Sequence, residues 1–298
     1  LNPFLDQLQP QAMLFVKYDL WPVLCDLLAK RQIPYGLAFA HSPQGHGWLH
    51  PWNVINRPAL QGLSFCGQQQ TRGQSAWNQA GLPESVVTGD GRFDSVKERL
   101  CSWQGIEGIE DFIQGRKVMI LGSSWPQDEA LLIPLIHRFP HIAFILAPHD
   151  VSRASSINQA LPTTALMWSN WSTSSLQARQ NAKLLLVDSM GDLFTFYGHA
   201  NMAMVGGGFK QGLHNVLEAL VHGLPTCFGP NTGSHWEADK AMESGHATTV
   251  STQDELKQWI DACLQTDAPS RHIKAFIDQH AGAHARVKQL VEDQLFQK

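Results

Sequence analysis

The sequence has no apolar run long enough to cross a bilayer and no signal-peptide pattern. Cysteine is scarce: Cys25, Cys66, Cys101, Cys227 and Cys263 are scattered, odd in number and never paired as CxxC. That favours reduced thiols in a cytosolic setting and supplies no metal framework. The 14 histidines show no HExxH or comparable ligand spacing, so no catalytic metal is expected. Only 16% of residues are charged and the net charge is −4. A broad nucleic-acid partner, which needs a basic footprint, is therefore not expected. Tandem repeats and low-complexity tracts are missing as well. So is an initiator methionine: the chain opens LNPFLDQLQP directly before an apolar strand. It reads as part of a longer protein, one with room upstream for an N-terminal anchor.

What is present is an ordinary globular composition, 43% hydrophobic over 298 residues, enough for one large α/β domain or two smaller ones. The most informative stretch is Met204–Asn231. An apolar run ends in Gly206, Gly207 and Gly208, and Leu213, Val216, Leu217, Leu220 and Val221 then recur at helical spacing. Gly223 and Pro225 stop that helix, and a short apolar strand follows. Strand, glycine loop, helix, strand is half of a doubly wound nucleotide-binding domain. Asn215 and Glu218, three apart, fall on the polar side of the first helical turn and face whatever the loop admits.

The rest of the chain repeats this alternation. In the first part, strands are expected at 13–17, 34–40, 63–66 and 85–88, with 41–57 mostly loop and helices to Lys30, over 69–80 and over 93–103. A linker falls near 105–115. The second part has strands at 117–121, 142–147, 184–187 and 248–250, a Ser/Thr-rich loop at 163–175, and helices over 236–244, 253–264 and 271–294. Ser124 with Gln127 makes a capping-box pattern. The expected domains are 1–106, with few strands, and 115–298.

Polar residues collect where these strands end, the place ligands occupy in α/β sheets. Gly122-Ser123-Ser124 suits a phosphate or is a plain helix cap. His149 suits a base or phosphate, though a lone histidine is more often structural. Met190-Gly191 can pack on a base or belong to the core. The glycine run lacks the GK[ST] of a Walker loop and the form of a dinucleotide fingerprint. Gly-Leu-His-Asn-x-x-Glu behind it fits ribose hydroxyls, with helix-dipole compensation as the plainer role of Glu218. Asp19 is either a free carboxylate or a helix cap. Asp90, Arg92 and Asp94 form either a structural pairing or a substrate contact.

FVKYDLWP (15–22), GDGRFDSV (89–96), GSSWPQDE (122–129), APHD (147–150), VDSMGDL (187–193) and GGGFKQGLHNVLEALVHGLPTCFGPN (206–231) occur in that order. Together they resemble the 3-deoxy-D-manno-octulosonic acid (Kdo) transferases of lipopolysaccharide biosynthesis, particularly the Bacteroidetes-like form, over most of residues 5–260. The resemblance implies an α/β fold of GT-B type, two Rossmann-like halves with the first incomplete here, and an active site in the cleft. It implies inverting, metal-independent transfer of Kdo from CMP-Kdo to a lipid A precursor (lipid IVA) at the cytoplasmic face of the bacterial inner membrane, with no cofactor. By the same resemblance Ser123, Ser124, His149, Met190, Gly191, Asn215 and Glu218 line the CMP pocket beside Gly207 and Gly208, and Asp19 stands on the acceptor side. The family's general base lies in an Ala-Ser-Leu-Gly-Glu loop upstream of residue 1, and no such motif occurs here. HSPQGHGW replaces an arginine-bearing segment, GSSW replaces Gly-Ser-Thr-Trp, and Lys210 alters Gly-Gly-Phe-Gly. The chain as given is thus expected to bind nucleotide better than it catalyses transfer. Another GT-B nucleotide-sugar transferase or epimerase, or a non-catalytic nucleotide-binding module, are the alternatives.

Overall fold

A computed structural model describes residues 1–17, 19–41, 53–161, 165–265 and 270–296. The chain divides into two compact units, 1–95 with 280–298, and 96–279. The first unit is built on a parallel sheet in the order β1 (Met13–Val16), β2 (Tyr35–Ala40), β3 (Phe65–Gln68), β4 (Ser85–Val87). Parallel strands are buried on both faces and read as near-continuous apolar runs, as Tyr35–Ala40 does. Helices Pro22–Lys30 and Thr71–Gln79 bury Leu24, Leu28 and Trp77 in a core with Leu37, Leu60 and Cys66. Each such large apolar side chain contributes roughly 1.5–3 kcal/mol when fully buried.

The last helix, Ala283–Leu295, belongs to this unit and packs on β2 and β3. Asp94 fixes it: one carboxylate oxygen accepts from Gly282 N at 2.6 Å, the other from Ala283 N at 2.9 Å and His284 N at 3.3 Å. These are the orphan donors of a helix start, and an acidic group there also meets the helix dipole. Arg286 adds a bond from Nε to Thr88 O at 2.8 Å. The packing therefore separates Ser95 from Val96 and returns the final helix to the first unit, whereas the sequence division falls near 105–115. Arg92 closes on Asp90 with Nη2–Oδ2 at 2.7 Å. The Asp90-Arg92-Asp94 group is thus framework.

The second unit carries seven parallel strands: β5 (Lys117–Ser124), β6 (Ile142–Pro148), β7 (Ala165–Met167), β8 (Leu184–Leu186), β9 (Met202–Val205), β10 (Thr226–Phe228) and β11 (Ala247–Thr249). Their order in the sheet is β11-β10-β9-β5-β6-β8-β7. Met119, Leu121, Phe144, Leu146 and Met204 from the central strands pack with Leu132, Ile136, Leu256 and Ile260 from the flanking elements. From β5 the chain winds outward through β6 and then returns to β9 on the other side of β5. That reversal is the switch point where open α/β sheets bind ligands, at the carboxyl ends of the strands.

Four local expectations change. The helix over 271–294 breaks at Gly282 (φ 92°) into Arg271–His280 and Ala283–Leu295. The polar segment 163–175 is not a loop where described: Ala165–Met167 pairs with β8, and the 3-10 turn Trp168–Thr173 buries Trp171. The linker holds a short helix, Glu110–Ile113, because Ile109, Phe112 and Ile113 are apolar enough to be buried. The helix behind the glycine loop spans only Leu217–Leu220. Leu213, Val216, Leu217, Leu220 and Val221 are all buried, but Leu213 reaches the core from outside the helix. Tyr18, 42–52 (most of HSPQGHGW) and 163–164 of the Ser/Thr-rich segment lie outside the described residues.

Candidate functional site

The carboxyl ends of β5, β6, β8 and β9 carry every site residue expected in the second unit. The glycine run after β9 is a packing device. Gly207 adopts a φ of 91°, and a side chain on it would collide with the carbonyl of Gly212. A Cβ on Gly208 would lie 2.7 Å from Gly229 N, where the chain leaves β10. Both are buried, and Gly207 N donates to Asp128 Oδ2 at 3.0 Å. The backbone of Gly207 and Gly208 thus also laces neighbouring strand ends together, with the Gly207 N–H engaged by Asp128.

Asp128 was not legible as a site residue. It is buried, and its Oδ2 accepts from Trp125 N at 2.8 Å as well as from Gly207. The cap of helix Pro126–Leu132 is accordingly Trp125 with Asp128, one residue later than the expected Ser124 and Gln127. Burial pushes the Asp128 carboxyl above its ordinary range, against the pull of the Gly207 and Trp125 amides.

The two serines part company. Ser123 is partly exposed, in the left-handed region at φ 52°, where β5 bulges. Ser124 turns inward and is buried, its Oγ donating to Glu129 Oε1 at 2.8 Å. Glu129 in turn pairs with Arg153 at 2.6 Å. Ser124 thus supports the site from below instead of facing a ligand.

Asn215 and Glu218 do sit together. Asn215 Oδ1 accepts from Leu217 N at 3.2 Å, and Asn215 lies beside Glu218 and helps hold its carboxyl down. Burial raises the Glu218 carboxyl, opposed by Arg99, whose Nη1 lies 2.9 Å from Oε1. Arg99 lies over the Phe194 ring at 4.2 Å. Met190 is 76% exposed beside Gly191 at φ 94°. It is not core. Its loop is pinned by Asp188, which accepts from Ser169 N at 2.8 Å, and by Asp192, which accepts from Ser189 Oγ and from Trp168 Nε1.

His149 is exposed after β6 and stacks on Trp125 at 4.8 Å and on His214 at 4.5 Å between ring centroids. Trp125 Nε1 donates to His214 Nε2 at 3.0 Å. Burial first, then the neighbouring His149 and His235, hold His214 down to about 4. Neither ring was singled out from sequence, since no spacing signal joins positions 125 and 214. In the first unit Asp19 is exposed. It does not cap helix Pro22–Lys30, which starts behind Trp21. Among the described residues no group of three His, Cys, Asp or Glu side chains is arranged to hold a metal ion.

Residues 1–95 match a family described as "3-Deoxy-D-manno-octulosonic-acid transferase (kdotransferase)". A 3-deoxy-D-manno-octulosonic acid transferase of Bordetella pertussis is 27% identical over 98% of this chain and 71% of its own length. One of Rickettsia felis is 25% identical over 82% of this chain and 53% of its own. The chain thus spans between about half and about seven-tenths of these relatives. Among solved structures, a UDP-GlcNAc 2-epimerase of Neisseria meningitidis bound to UDP-GlcNAc aligns with TM-score 0.62 and 14% identity, over 97% of this chain and 78% of that one. That likeness is one of fold, the GT-B type with two Rossmann-like halves. By sequence, then, residues 1–95 match the 3-deoxy-D-manno-octulosonic acid transferase family, and nearly the whole chain is similar to transferases of that name.

Proposed function

We propose that this protein transfers Kdo from CMP-Kdo to a lipid A precursor, lipid IVA, with inversion and without a metal. The observation that carries the donor half is the gathering of His149, Met190-Gly191, Asn215 and Glu218 at the carboxyl ends of β6, β8 and β9, beside the switch between β5 and β9. Asn215 and Glu218 are an amide and a carboxylate side by side, the chemistry that suits paired ribose hydroxyls. Met190, exposed at a loop tip, offers an apolar surface to a pyrimidine. His149 and Ser123 stand where the leaving phosphate develops charge, and Ser123 is the open serine of its pair. Glycosyl transfer passes through an oxocarbenium-like state. It needs donors for that phosphate and a carboxylate to take the acceptor's proton. Asp19, exposed in the first unit, is an acceptor-side carboxylate in this reading.

The acceptor is a lipid, so the protein works at the cytoplasmic face of the inner membrane. No helix among the described residues is long and apolar enough to cross a membrane. Incubation with CMP-Kdo and lipid IVA, followed by mass spectrometry of the lipid, tests the reading. Addition of Kdo to the lipid is the expected outcome. The carboxylate-bearing loop expected upstream of residue 1 is needed for turnover, so the assay uses the chain extended by its upstream codons. A lipid left unmodified by that longer chain while it binds CMP would overturn the transfer and leave the donor site standing.

A further inference from the structure

The rings of Trp125 and His214 are 7° from parallel with centroids 6.5 Å apart, and they share the Nε1–Nε2 hydrogen bond of 3.0 Å. An indole N–H lies in the plane of its ring, and so does the lone pair of an imidazole nitrogen. Two nearly parallel rings joined through those atoms lie edge to edge, as one flat surface. His149 then overlaps both members at once, tilted 24° from the indole and 26° from the imidazole. The three rings come from three different strand ends, after β5, β6 and β9. Each has a fixed base: Trp125 N is held by Asp128, His149 N donates to Ser124 O at 3.0 Å, and His214 N donates to Gly206 O at 3.2 Å.

The hydrogen bond also sets a proton. Indole donates only, so His214 must present a bare Nε2 and carry its hydrogen on Nδ1. A neutral His214 keeps accepting from Trp125.

We propose that Trp125 and His214 form a single hydrogen-bonded platform that holds the His149 ring in place at the donor phosphate, making them positioning residues for donor binding. The inference rests on the reading of His149 as a donor-binding group. An imidazole on an exposed strand end would otherwise sample several rotamers. The platform removes that freedom before the nucleotide arrives, and freedom removed in advance is not lost on binding. The platform also keeps the edge of His149, not its face, available to oxygen acceptors.

The test compares the wild-type chain with His149→Ala, Trp125→Phe, His214→Gln and the Trp125→Phe/His149→Ala double variant. CMP affinity comes from calorimetry, and ring-proton shifts of His149 from NMR. Stacking over an indole moves imidazole protons upfield, and Trp125→Phe should relax that shift. It should also weaken CMP binding several-fold, up to about tenfold, and add nothing once His149 is alanine. His214→Gln, which retains an acceptor for the indole N–H, should lose less than Trp125→Phe. A loss from Trp125→Phe that persists undiminished in the His149→Ala background would overturn the platform and leave the donor site intact. Unchanged CMP binding in His149→Ala would instead remove His149 from the donor site, and the inference with it. Thermal midpoints of each variant separate a folding defect from either result.

Discussion

Ser123 and Ser124 show how finely function divides at the scale of single residues. Adjacent and chemically identical, they end on opposite sides of a bulged strand, and only Ser123 keeps an open hydroxyl in the site. Ser124→Ala should therefore lower stability by about 1 kcal/mol through the lost bond to Glu129 and leave CMP affinity nearly unchanged. Urea unfolding with a parallel nucleotide titration checks this; lost affinity at full stability would put Ser124 back in the pocket. Asp128 carries a different signature. Its Oδ1 is buried without a hydrogen-bond partner, and burial raises its carboxyl. The folded state then keeps that proton to higher pH than the unfolded chain. The group's contribution is full at low pH and is lost as pH rises through the raised value. Asp128→Asn, neutral throughout, should gain on the parent as pH rises. Unfolding midpoints followed from below the ordinary carboxylate value up to about pH 8 would show it, and a difference constant over that whole range would contradict it.

At the scale of elements, the helix Ala283–Leu295 depends on one side chain from a distant part of the sequence. Asp94 accepts three backbone N–H bonds at its start, so Asp94→Ala should destabilise the first unit by about 1–2 kcal/mol. Hydrogen exchange should report the helix as the region most affected. Protection unchanged there would refute the cap. This helix also marks the limit of what sequence reveals. Strands such as Lys117–Ser124 and Ile142–Pro148 were legible because buried parallel strands are continuous apolar runs. Which unit a terminal helix joins depends on a contact across 188 positions, from Asp94 to Gly282, and no local pattern encodes it. The same holds for the site. Asn215 and Glu218 lie three apart and were readable. Trp125 and His214 meet across 89 positions and were not. The glycine run was legible as a motif but not as a fit between strand ends, because its approach to Gly212 and Gly229 exists only in the folded chain. Segment 163–175 misled because serines and threonines outnumber the two tryptophans that anchor it.

For the whole molecule, pH enters through two histidines of the second unit, half-buried His214 and buried His222. His214 and His222 are both held down to about 4, chiefly by burial, from an ordinary value of 6.5. The folded state binds those protons later than the unfolded chain does. The stability they contribute is full above pH 6.5 and is lost as pH falls toward about 4. Replacing His222, whose Nε2 is buried without a partner, by asparagine should flatten part of that acid slope in urea titrations. A slope identical to the parent's would show that His222 takes no part. The His222 ring packs on Trp103 and Phe194, away from the Trp125, His149 and His214 rings, so its replacement separates stability from ligand binding experimentally. The account's central claim is that Asn215 and Glu218, at the carboxyl edge of the seven-stranded sheet, grip the ribose of a cytidine nucleotide. Isothermal titration with CMP, UMP and ADP, on the parent chain and on Glu218→Ala, tests it most directly. Tightest binding of CMP, lost by about tenfold or more in the variant, is the predicted result. Equal binding of UMP, or CMP binding unmoved by Glu218→Ala, would contradict it.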